Sequence, residues 1–197
     1  MYEKLRFMKL DRNFFSKDPA LVARKLLGKV LVRKTPQGTL KGKVVETEAY
    51  YSKGDPASHF QVRPSSRDFF REKPSGTIYV YFTYGNHWMF NILAKGEDKS
   101  GAVLIRALEP VQGRDIMRRY RNVEKDTELT SGPGKLTQAF QINGSYNGKD
   151  ITENDEIYFE DTGENPDIVT TNRIGIKEGR DMPLRFYVKG NRYVSKK

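Results

Sequence analysis

The stretch Val44-Val45-Glu46-Thr47-Glu48-Ala49-Tyr50 decides the fold, because its apolar and polar side chains alternate. This period of two predicts a half-buried β-strand. On such a strand Glu46 and Glu48 share a face, roughly 6.6 Å apart. We therefore expect the two carboxylates to interact and one of them to have a raised pKa suited to proton transfer. Two solvated carboxylates on an exposed strand face are the commoner arrangement for such a stretch, and this alternative stays open.

Composition limits the classes of protein to which the chain can belong. Its 197 residues, 37% of them hydrophobic, suffice for a substantial core, and no linker divides them, so we expect one domain over residues 1–197. The 35 Lys and Arg against 25 Asp and Glu give a net charge of +10. This surplus favours a polyanionic partner, with nucleic acid ahead of an anionic membrane surface.

Cysteine and histidine usage argues against a metal. The chain has no cysteine, which excludes a disulfide framework, a thiolate zinc site and an iron–sulfur cluster. His59 and His87 are its only histidines, so a multi-histidine metal site is not expected, and we predict neither metal nor cofactor. Residues 1–15 contain no continuous apolar run, so we predict no signal peptide and no membrane span. A cytoplasmic protein is expected, associated with the nucleoid in a prokaryote.

Local patterns predict strands in hairpin order with a few helices between them. Asp18-Pro19 before an amphipathic run and Gly28 after it predict a helix over residues 20–27. Pro110 is expected to open a basic helix that reaches Tyr120, and a short helix is expected over residues 136–142. Strands are predicted over residues 29–34, 39–50, 77–83, 87–94, 101–108, 156–160, 168–176 and 184–188, with 51–75 as a long, packed loop. The order favours an α+β fold, a single compact domain with a curved, mainly antiparallel β-sheet and flanking helices.

Aromatic side chains collect at the strand ends beside Glu48. They are Tyr50, Tyr51, Tyr79, Tyr81, Tyr84, His87 and Trp88. In a basic protein, aromatic rings near cations are typical of a surface that holds unstacked bases. Tyr79 and Tyr81 share a strand face, so a core role for Tyr79 stays open, whereas Tyr84 lies at the tip of the predicted turn Tyr84-Gly85-Asn86.

The glycine-rich stretch Ser131-Gly132-Pro133-Gly134-Lys135 precedes a short predicted helix. The free N–H groups of such a helix start suit a phosphate, which makes Gly132, Gly134 and Lys135 candidate phosphate contacts. It is not a Walker A loop, because Leu136 stands where Ser or Thr is required. A helix cap without a ligand is equally compatible with the stretch.

Six short stretches, in a fixed order along nearly the whole chain, carry a family pattern. They are Val45-Glu46-Thr47-Glu48-Ala49-Tyr50, Asp55-Pro56-Ala57-Ser58-His59, Tyr79-Val80-Tyr81 through Tyr84-Gly85 to Asn91, Leu104-Ile105-Arg106-Ala107-Leu108-Glu109-Pro110, Ser131-Gly132-Pro133-Gly134-Lys135-Leu136 and Pro183-Leu184-Arg185-Phe186-Tyr187-Val188. Together they resemble the alkyladenine (3-methyladenine) DNA glycosylase family of base-excision repair enzymes. Each stretch alone is a weak signal, whereas all six in register are specific.

The resemblance implies a reaction and a substrate. Glu48 would be the general base that deprotonates the attacking water, and Arg106 with the backbone carbonyl of Ile174 would hold that water. The enzyme would be a monomeric, monofunctional glycosylase that acts on double-stranded DNA containing damaged purines such as 3-methyladenine, hypoxanthine or ethenoadenine, without a cofactor.

The resemblance also implies how the damaged base is held. A flipped base would stack between Tyr50 on one face and His59 with Tyr81 on the other. Asn91 would lie at the pocket floor, where the amino group of guanine would otherwise fit. Tyr84 would enter the duplex as a wedge and fill the vacated stack.

Two residues depart from the family pattern. Asn86 stands where an apolar Met follows the wedge glycine, which weakens the expected shielding of the opened stack. Arg67 would contact DNA, but Asp68 beside it stands where the family has Asn, and it adds a negative charge near the phosphates.

From the residues alone, two other functions stay open. A glycoside hydrolase would also use two carboxylates at a spacing that Glu46 and Glu48 can meet, although neutral sugars give no reason for the positive charge. A noncatalytic RNA or single-stranded nucleic-acid-binding protein would use the same aromatics and arginines. That alternative leaves Glu48 unexplained, because a carboxylate in a groove for a polyanion opposes binding.

Overall fold

An antiparallel sheet is the framework of the molecule, whose computed structural model describes residues 8–83 and 85–196. Its strands are β1 (Met8–Lys9), β2 (Val30–Thr35), β3 (Gly38–Tyr51), β4 (Ile78–Thr83), β5 (His87–Lys95), β6 (Ser100–Gln112), β7 (Ile157–Asp161), β8 (Ile168–Thr171) and β9 (Arg185–Val188). The order across the sheet is β1-β7-β2-β3-β6-β5-β4, while β9 pairs with β3 and β8 pairs with β9. All of these pairings are antiparallel, which confirms the predicted fold class.

Helices flank the sheet. They are α1 (Arg12–Phe15), α2 (Pro19–Leu26), α3 (His59–Val62), α4 (Pro64–Glu72), α5 (Arg114–Arg121) and α6 (Pro133–Ala139), with 3₁₀ turns at Asp126–Glu128 and Gly144–Tyr146. As predicted, α2 is capped by the side chain of Asp18, which accepts hydrogen bonds from the amides of Ala20 and Leu21. Within the described residues, no helix has the length and apolar character needed to span a bilayer.

Strand β3 buries the decisive stretch because it has a partner on each side there. Glu46 lies opposite Ala107 of β6 and Tyr187 of β9, and Glu48 lies opposite Leu104 and Arg185. Both carboxylates have no solvent exposure. The alternative of two solvated glutamates is therefore wrong.

Alternation along β3 separates its two faces. The hydroxyl of Thr47 donates a hydrogen bond of 2.9 Å to the carbonyl of Ala23 in α2. Glu46 and Glu48 both reach a single arginine on the other face, Arg106. The prediction that the two carboxylates share a face is confirmed, and α2 covers the opposite side.

Residues 51–75 contain α3 and α4, where the sequence predicted a loop. Helix α4 starts with Pro64 at its first position and buries Ser66 and Phe70 on one side. The prediction was wrong because helices of four and nine residues are shorter than the window over which helical periodicity is recognised. Their packing was predicted correctly, since Phe60 and Phe70 are buried in one cluster with Tyr79.

Pro110 lies inside β6 instead of opening a helix. It pairs with Gly42 next to a register shift in the β3–β6 ladder. A proline is tolerated at such an irregularity, where its missing N–H breaks no regular ladder bond. The helix begins only at Arg114, after Gly113 in the left-handed conformation with φ +82°.

Two further predicted boundaries shift. Helix α6 starts at Pro133 instead of residue 136, because proline suits the first position of a helix. Strand β8 ends at Thr171 instead of residue 176. Ile174 therefore belongs to the loop over residues 172–184 that precedes β9, which we call the 172–184 loop.

Candidate active site

A cavity of about 450 Å³ is bounded by β3, β4, β5, β6, α3 and the 172–184 loop. Six of the predicted site residues line it: Tyr50, His59, Tyr81, Asn91, Arg106 and Ile174. These residues are spread over more than a hundred positions of sequence. The sheet and the loop therefore bring the predicted pocket residues together at one place.

Glu48 lies directly behind the wall of this cavity. Its Oε2 accepts hydrogen bonds from the hydroxyl of Tyr50 at 2.8 Å and from Nη1 of Arg106 at 3.1 Å. Its Oε1 accepts one bond, at 2.8 Å, from the amide of Ile174. All three donors belong to residues that line the cavity. Since a carboxylate oxygen can accept two hydrogen bonds, Oε1 keeps one acceptor position within the described residues.

Arg106 connects the two carboxylates. Its Nε donates to Oε1 of Glu46 at 2.9 Å, while its Nη1 donates to Glu48. Burial alone would lower the pKa of the Arg106 guanidinium, but the charges of Glu48 and Glu46 outweigh burial and raise it. Arg106 thus carries a permanent positive charge at the cavity wall.

Glu46 is surrounded by donors on the side away from the cavity. Its Oε1 accepts from Nε of Arg185 at 2.8 Å and from the hydroxyl of Ser195 at 2.9 Å, and its Oε2 accepts from the Ser195 amide at 2.6 Å. Burial raises the pKa of Glu46, but Arg106, the Ser195 amide and Arg185 together lower it below its usual value. Glu46 is therefore not the carboxylate with the raised pKa that the sequence led us to expect in this pair, because two arginines contact it.

Tyr50 is held as a hydrogen-bond donor. Burial and the adjacent charge of Glu48 raise its pKa well above the usual value, so the phenol stays protonated. The guanidinium of Arg173 lies over its ring, 4.6 Å from the centroid. Both contacts fix the ring at the cavity wall, and its stacking on a bound base stays a prediction.

His59 and Tyr81 form an aromatic pair on the lining, with ring centroids 4.2 Å apart. Nδ1 of His59 lies 3.3 Å from the hydroxyl of Tyr79, which in turn lies 2.8 Å from the hydroxyl of Ser66. Burial, and then the charge of Arg63, lower the pKa of His59 to about 4. The imidazole is therefore neutral at pH 7.

Asn91 lines the cavity while its amide nitrogen is fully engaged by the sheet. Nδ2 donates to the carbonyls of Tyr79 at 3.1 Å and Met89 at 3.3 Å. Both amide hydrogens are used, which fixes the orientation of the side chain. Asn91 thus has a structural role in the β4–β5 pair in addition to its place on the cavity wall.

A buried ion pair fastens the 172–184 loop beneath the cavity. Arg173 donates to Asp55 through Nη1 at 2.6 Å and Nη2 at 2.8 Å, and through Nη1 to the carbonyl of Ala49 at 3.1 Å. Both side chains of the pair are fully buried. Because Arg173 precedes Ile174, this pair positions the amide that contacts Glu48.

Comparisons with known proteins identify the family of the chain. The family model described as "Methylpurine-DNA glycosylase (MPG)" matches residues 13–192. The chain belongs to the methylpurine-DNA glycosylase family. It is 47% identical over 193 residues to a protein of Carboxydothermus hydrogenoformans named "Putative 3-methyladenine DNA glycosylase", covering 96% of this chain and 100% of that one. Proteins with the same name are 44% identical in Prosthecochloris aestuarii (94% and 90% covered) and 43% identical in Clostridium botulinum strain Alaska E43 (96% and 100% covered).

Membership of the methylpurine-DNA glycosylase family confirms the predicted enzyme class, a DNA glycosylase of base excision repair whose partner is DNA. It gives no support to the two alternatives, a glycoside hydrolase and a noncatalytic nucleic-acid binder. Among residues 8–83 and 85–196, no three His, Cys, Asp or Glu side chains are grouped so that they could hold a metal ion.

The predicted phosphate contacts of this glycosylase lie at the start of α6 and on α4. Gly132 is the N-cap of α6, and a side chain at Gly134 would collide with the ring of His87, so this glycine permits a close approach. Lys135 is half-buried and Arg67 is exposed on α4. Whether these four residues bind phosphates stays a prediction.

The two departures from the family pattern are both exposed. Asp68 on α4 lies 3.6 Å from Arg71, and Asn86 is in the turn between β4 and β5. The predicted wedge, Tyr84, lies outside the described residues. Its role therefore stays a prediction.

Sequence reasoning missed three residues that hold the site together. Arg173, Arg185 and Ser195 bond to Asp55 or Glu46 across separations of 118, 139 and 149 residues. Asp55 and Arg185 were inside recognised stretches, but no local pattern pairs them with their partners. The resemblance predicted that the backbone carbonyl of Ile174 holds the water. The structure adds a second contact of this residue, a hydrogen bond from its amide to Oε1 of Glu48.

Proposed function

We propose that this protein is a monofunctional glycosylase that removes 3-methyladenine, hypoxanthine and ethenoadenine from duplex DNA with a water activated by Glu48. The observation that carries the proposal is the position of Glu48, a buried carboxylate with one remaining acceptor position directly behind an aromatic cavity. The printed names of the relatives support 3-methyladenine as one substrate.

The size and walls of the cavity support a purine as the occupant. A volume of about 450 Å³ falls within the range of small-molecule sites, which is about 300–1,000 Å³. Tyr50 on one side and His59 with Tyr81 on the other would stack on the two faces of a flipped base. A base must leave the duplex to reach such a site, at a cost of a few kcal/mol that is smallest for damaged or mispaired bases.

The aromatic lining favours an alkylated purine, and the positive charge of Arg106 at the wall is balanced by Glu46 and Glu48. A base methylated at N3 carries a positive charge, which aromatic faces attract through cation–π interactions. Neutral His59 adds no opposing charge, because its pKa is about 4. The negative charge of Glu48 behind the wall would favour the same cation.

The proposed step balances as a hydrolysis. The oxygen of water bonds to C1′ of the nucleotide, and the C1′–N bond breaks with its electron pair passing to the base. The proton of the water passes to Oε1 of Glu48, which accepts only one hydrogen bond, from the Ile174 amide, within the described residues. A 3-methyladenine cation departs as a neutral base, whereas hypoxanthine departs as an anion that takes up a proton from solvent water.

Asn91 would set the boundary of specificity. Its side chain is fixed by two hydrogen bonds to the sheet, so it cannot turn away from a base at the cavity floor. Adenine and hypoxanthine lack the amino group that guanine carries at this edge. We propose that the fixed amide leaves no space for that group.

The net charge of +10 supports DNA as the polyanion. We further propose that Tyr84 is the wedge, that Gly132, Gly134, Lys135 and Arg67 contact phosphates, and that the enzyme acts as a cytoplasmic monomer.

The direct test is incubation of the purified protein with three duplexes carrying 3-methyladenine, hypoxanthine or ethenoadenine, followed by alkali cleavage at abasic sites. We expect strand cleavage at the lesion in each duplex and none in an undamaged duplex. Absence of cleavage in all three would contradict the proposal. Strand cleavage before alkali would show a lyase step that the proposal does not include.

A further inference from the structure

Arg106 connects the carboxylate of Glu46 to the catalytic carboxylate of Glu48. Glu46 is in turn bonded to Ser195, which belongs to residues 193–196; we call these residues the 193–196 segment. Arg106 is the one described residue that donates to both Glu46 and Glu48 and also lines the cavity. Any change in the orientation of its guanidinium therefore changes the surroundings of Glu48.

Two hydrogen bonds fix the plane of that guanidinium. Nε is held by Glu46 at 2.9 Å and Nη1 by Glu48 at 3.1 Å. Within the described residues Nη2 donates no hydrogen bond, so Arg106 keeps a donor for a group in the cavity. With Nε directed at Glu46, the guanidinium makes only a single bond to Glu48.

Without Glu46, the geometry of an arginine predicts a different pairing. A guanidinium binds a carboxylate best through two parallel N–H···O bonds. Released from Glu46, Arg106 would turn and cover both oxygens of Glu48. The acceptor position on Oε1, which the proposed reaction needs for the proton of water, would then be lost.

Glu46 is itself held by three donors that do not touch Glu48. They are Nε of Arg185 and the amide and hydroxyl of Ser195. Tyr193 anchors the 193–196 segment, since it is buried in one cluster with Val45 and Ala107. Arg185 also donates to the carbonyl of Lys196. The segment thus completes the set of donors around Glu46.

We propose that Glu46 is a positioning residue for base release, and that the 193–196 segment keeps it in place. Glu46 restrains Arg106, so that Arg106 leaves Oε1 of Glu48 open to the attacking water. Glu46 does not take the proton itself, because four hydrogen bonds surround its carboxylate. This proposal rests on the proposed function of Glu48 as the base.

The first test is the Glu46→Gln variant, with single-turnover base release and affinity measured on the same hypoxanthine duplex. We expect release to fall at least about 10-fold, toward the 10²–10⁴-fold range of a lost general base. Affinity should stay within about 3-fold, because Glu46 is remote from the cavity surface. Release at the wild-type rate in a folded Glu46→Gln protein would overturn the proposal.

A second variant separates positioning from stability, because Glu46→Gln leaves two buried arginines facing one carboxylate. The double variant Glu46→Gln/Arg185→Gln removes one charge of each sign. The side chain of Arg185 makes no hydrogen bond to the Glu48 carboxylate and does not line the cavity. We expect its unfolding midpoint to recover toward wild type while base release stays at least about 10-fold low. Recovery of both the unfolding midpoint and the rate of base release would mean that Glu46 only stabilises the fold.

Variants of Ser195 test the 193–196 segment. Ser195→Ala removes one of the four hydrogen bonds to Glu46 and should reduce the rate of base release about 2- to 5-fold. Ser195→Thr retains the hydroxyl, so its rate of base release should be within 2-fold of wild type. Lys189→Gln, at the exposed end of β9, is the matched control and should leave release unchanged. Equal rates for Ser195→Ala and Ser195→Thr would remove the segment from the proposal. A wild-type protein inactive on every damaged duplex would instead contradict the proposed function.

Discussion

The ion pair between Asp55 and Arg173 is expected to contribute more to stability than any exposed ion pair of this protein. Asp55→Asn removes the charge of one partner and leaves the guanidinium of Arg173 buried without a carboxylate. Asp55 also accepts hydrogen bonds from the amides of Tyr51 and Ala57, so the change affects the turn that leads into α3. The variant therefore tests the attachment of the 172–184 loop directly.

The magnitude follows from burial. Both side chains of the pair have zero exposure, and removing one partner of such a pair costs about 3–5 kcal/mol. For a chain of this length, each kcal/mol lowers the melting temperature by about 2–4 °C, so we expect a fall of about 6–20 °C. Asp68→Asn, the same chemical change in the exposed pair with Arg71, is the matched control and should cost less than about 1 kcal/mol.

The assay is urea unfolding of Asp55→Asn, Asp68→Asn, Arg173→Met and the double variant Asp55→Asn/Arg173→Met. The double variant leaves no unpaired charge, so its loss should be smaller than the sum of the two single losses by about 1–3 kcal/mol. Base release by Asp55→Asn should also fall, because the Ile174 amide is carried by the released loop. A loss below 1 kcal/mol for Asp55→Asn, or strictly additive losses, would refute the reasoning.

Three further predictions concern the cavity and the DNA. Burial and Arg63 lower the pKa of His59 from 6.5 to about 4, so the contribution of neutral His59 to stability is fully present above about pH 6.5 and is lost as pH falls toward 4. In His59→Gln the urea midpoint should therefore depend less on pH over this range. A pH dependence equal to that of the wild type would contradict the prediction. Asn91→Ser should raise the ratio of guanine to hypoxanthine excision while costing about 1–3 kcal/mol of stability, and a constant ratio in folded protein would leave Asn91 only structural. Affinity for duplex DNA should fall linearly on a log–log salt plot with slope about −0.9 per phosphate contacted, and a flat dependence would remove DNA as the partner.

The sequence predicted those parts of the molecule that local pattern controls. Alternation along residues 44–50 indicated β3, and the cap and proline at residues 18 and 19 indicated α2. The predicted pocket residues from Tyr50 to Ile174 do line one cavity, because the family pattern carries long-range information that periodicity does not.

Other parts could not be predicted because distant residues decide them. Whether Glu46 and Glu48 are solvated or buried depends on β9 and on Arg106 and Arg185, none of which is near residue 46 in sequence. Pro110 is a helix-opening signal that the β3–β6 ladder overrides with an irregular register.

The measurement that tests the central claim most directly is single-turnover base release by Glu48→Gln on a hypoxanthine duplex, with affinity measured on the same duplex. The glutamine can still accept hydrogen bonds from Tyr50 and Arg106, so the walls of the cavity should persist. We predict a loss of at least about 10²-fold in release with affinity within a few-fold of wild type. Release near the wild-type rate by a folded Glu48→Gln protein would contradict the claim that Glu48 activates the water.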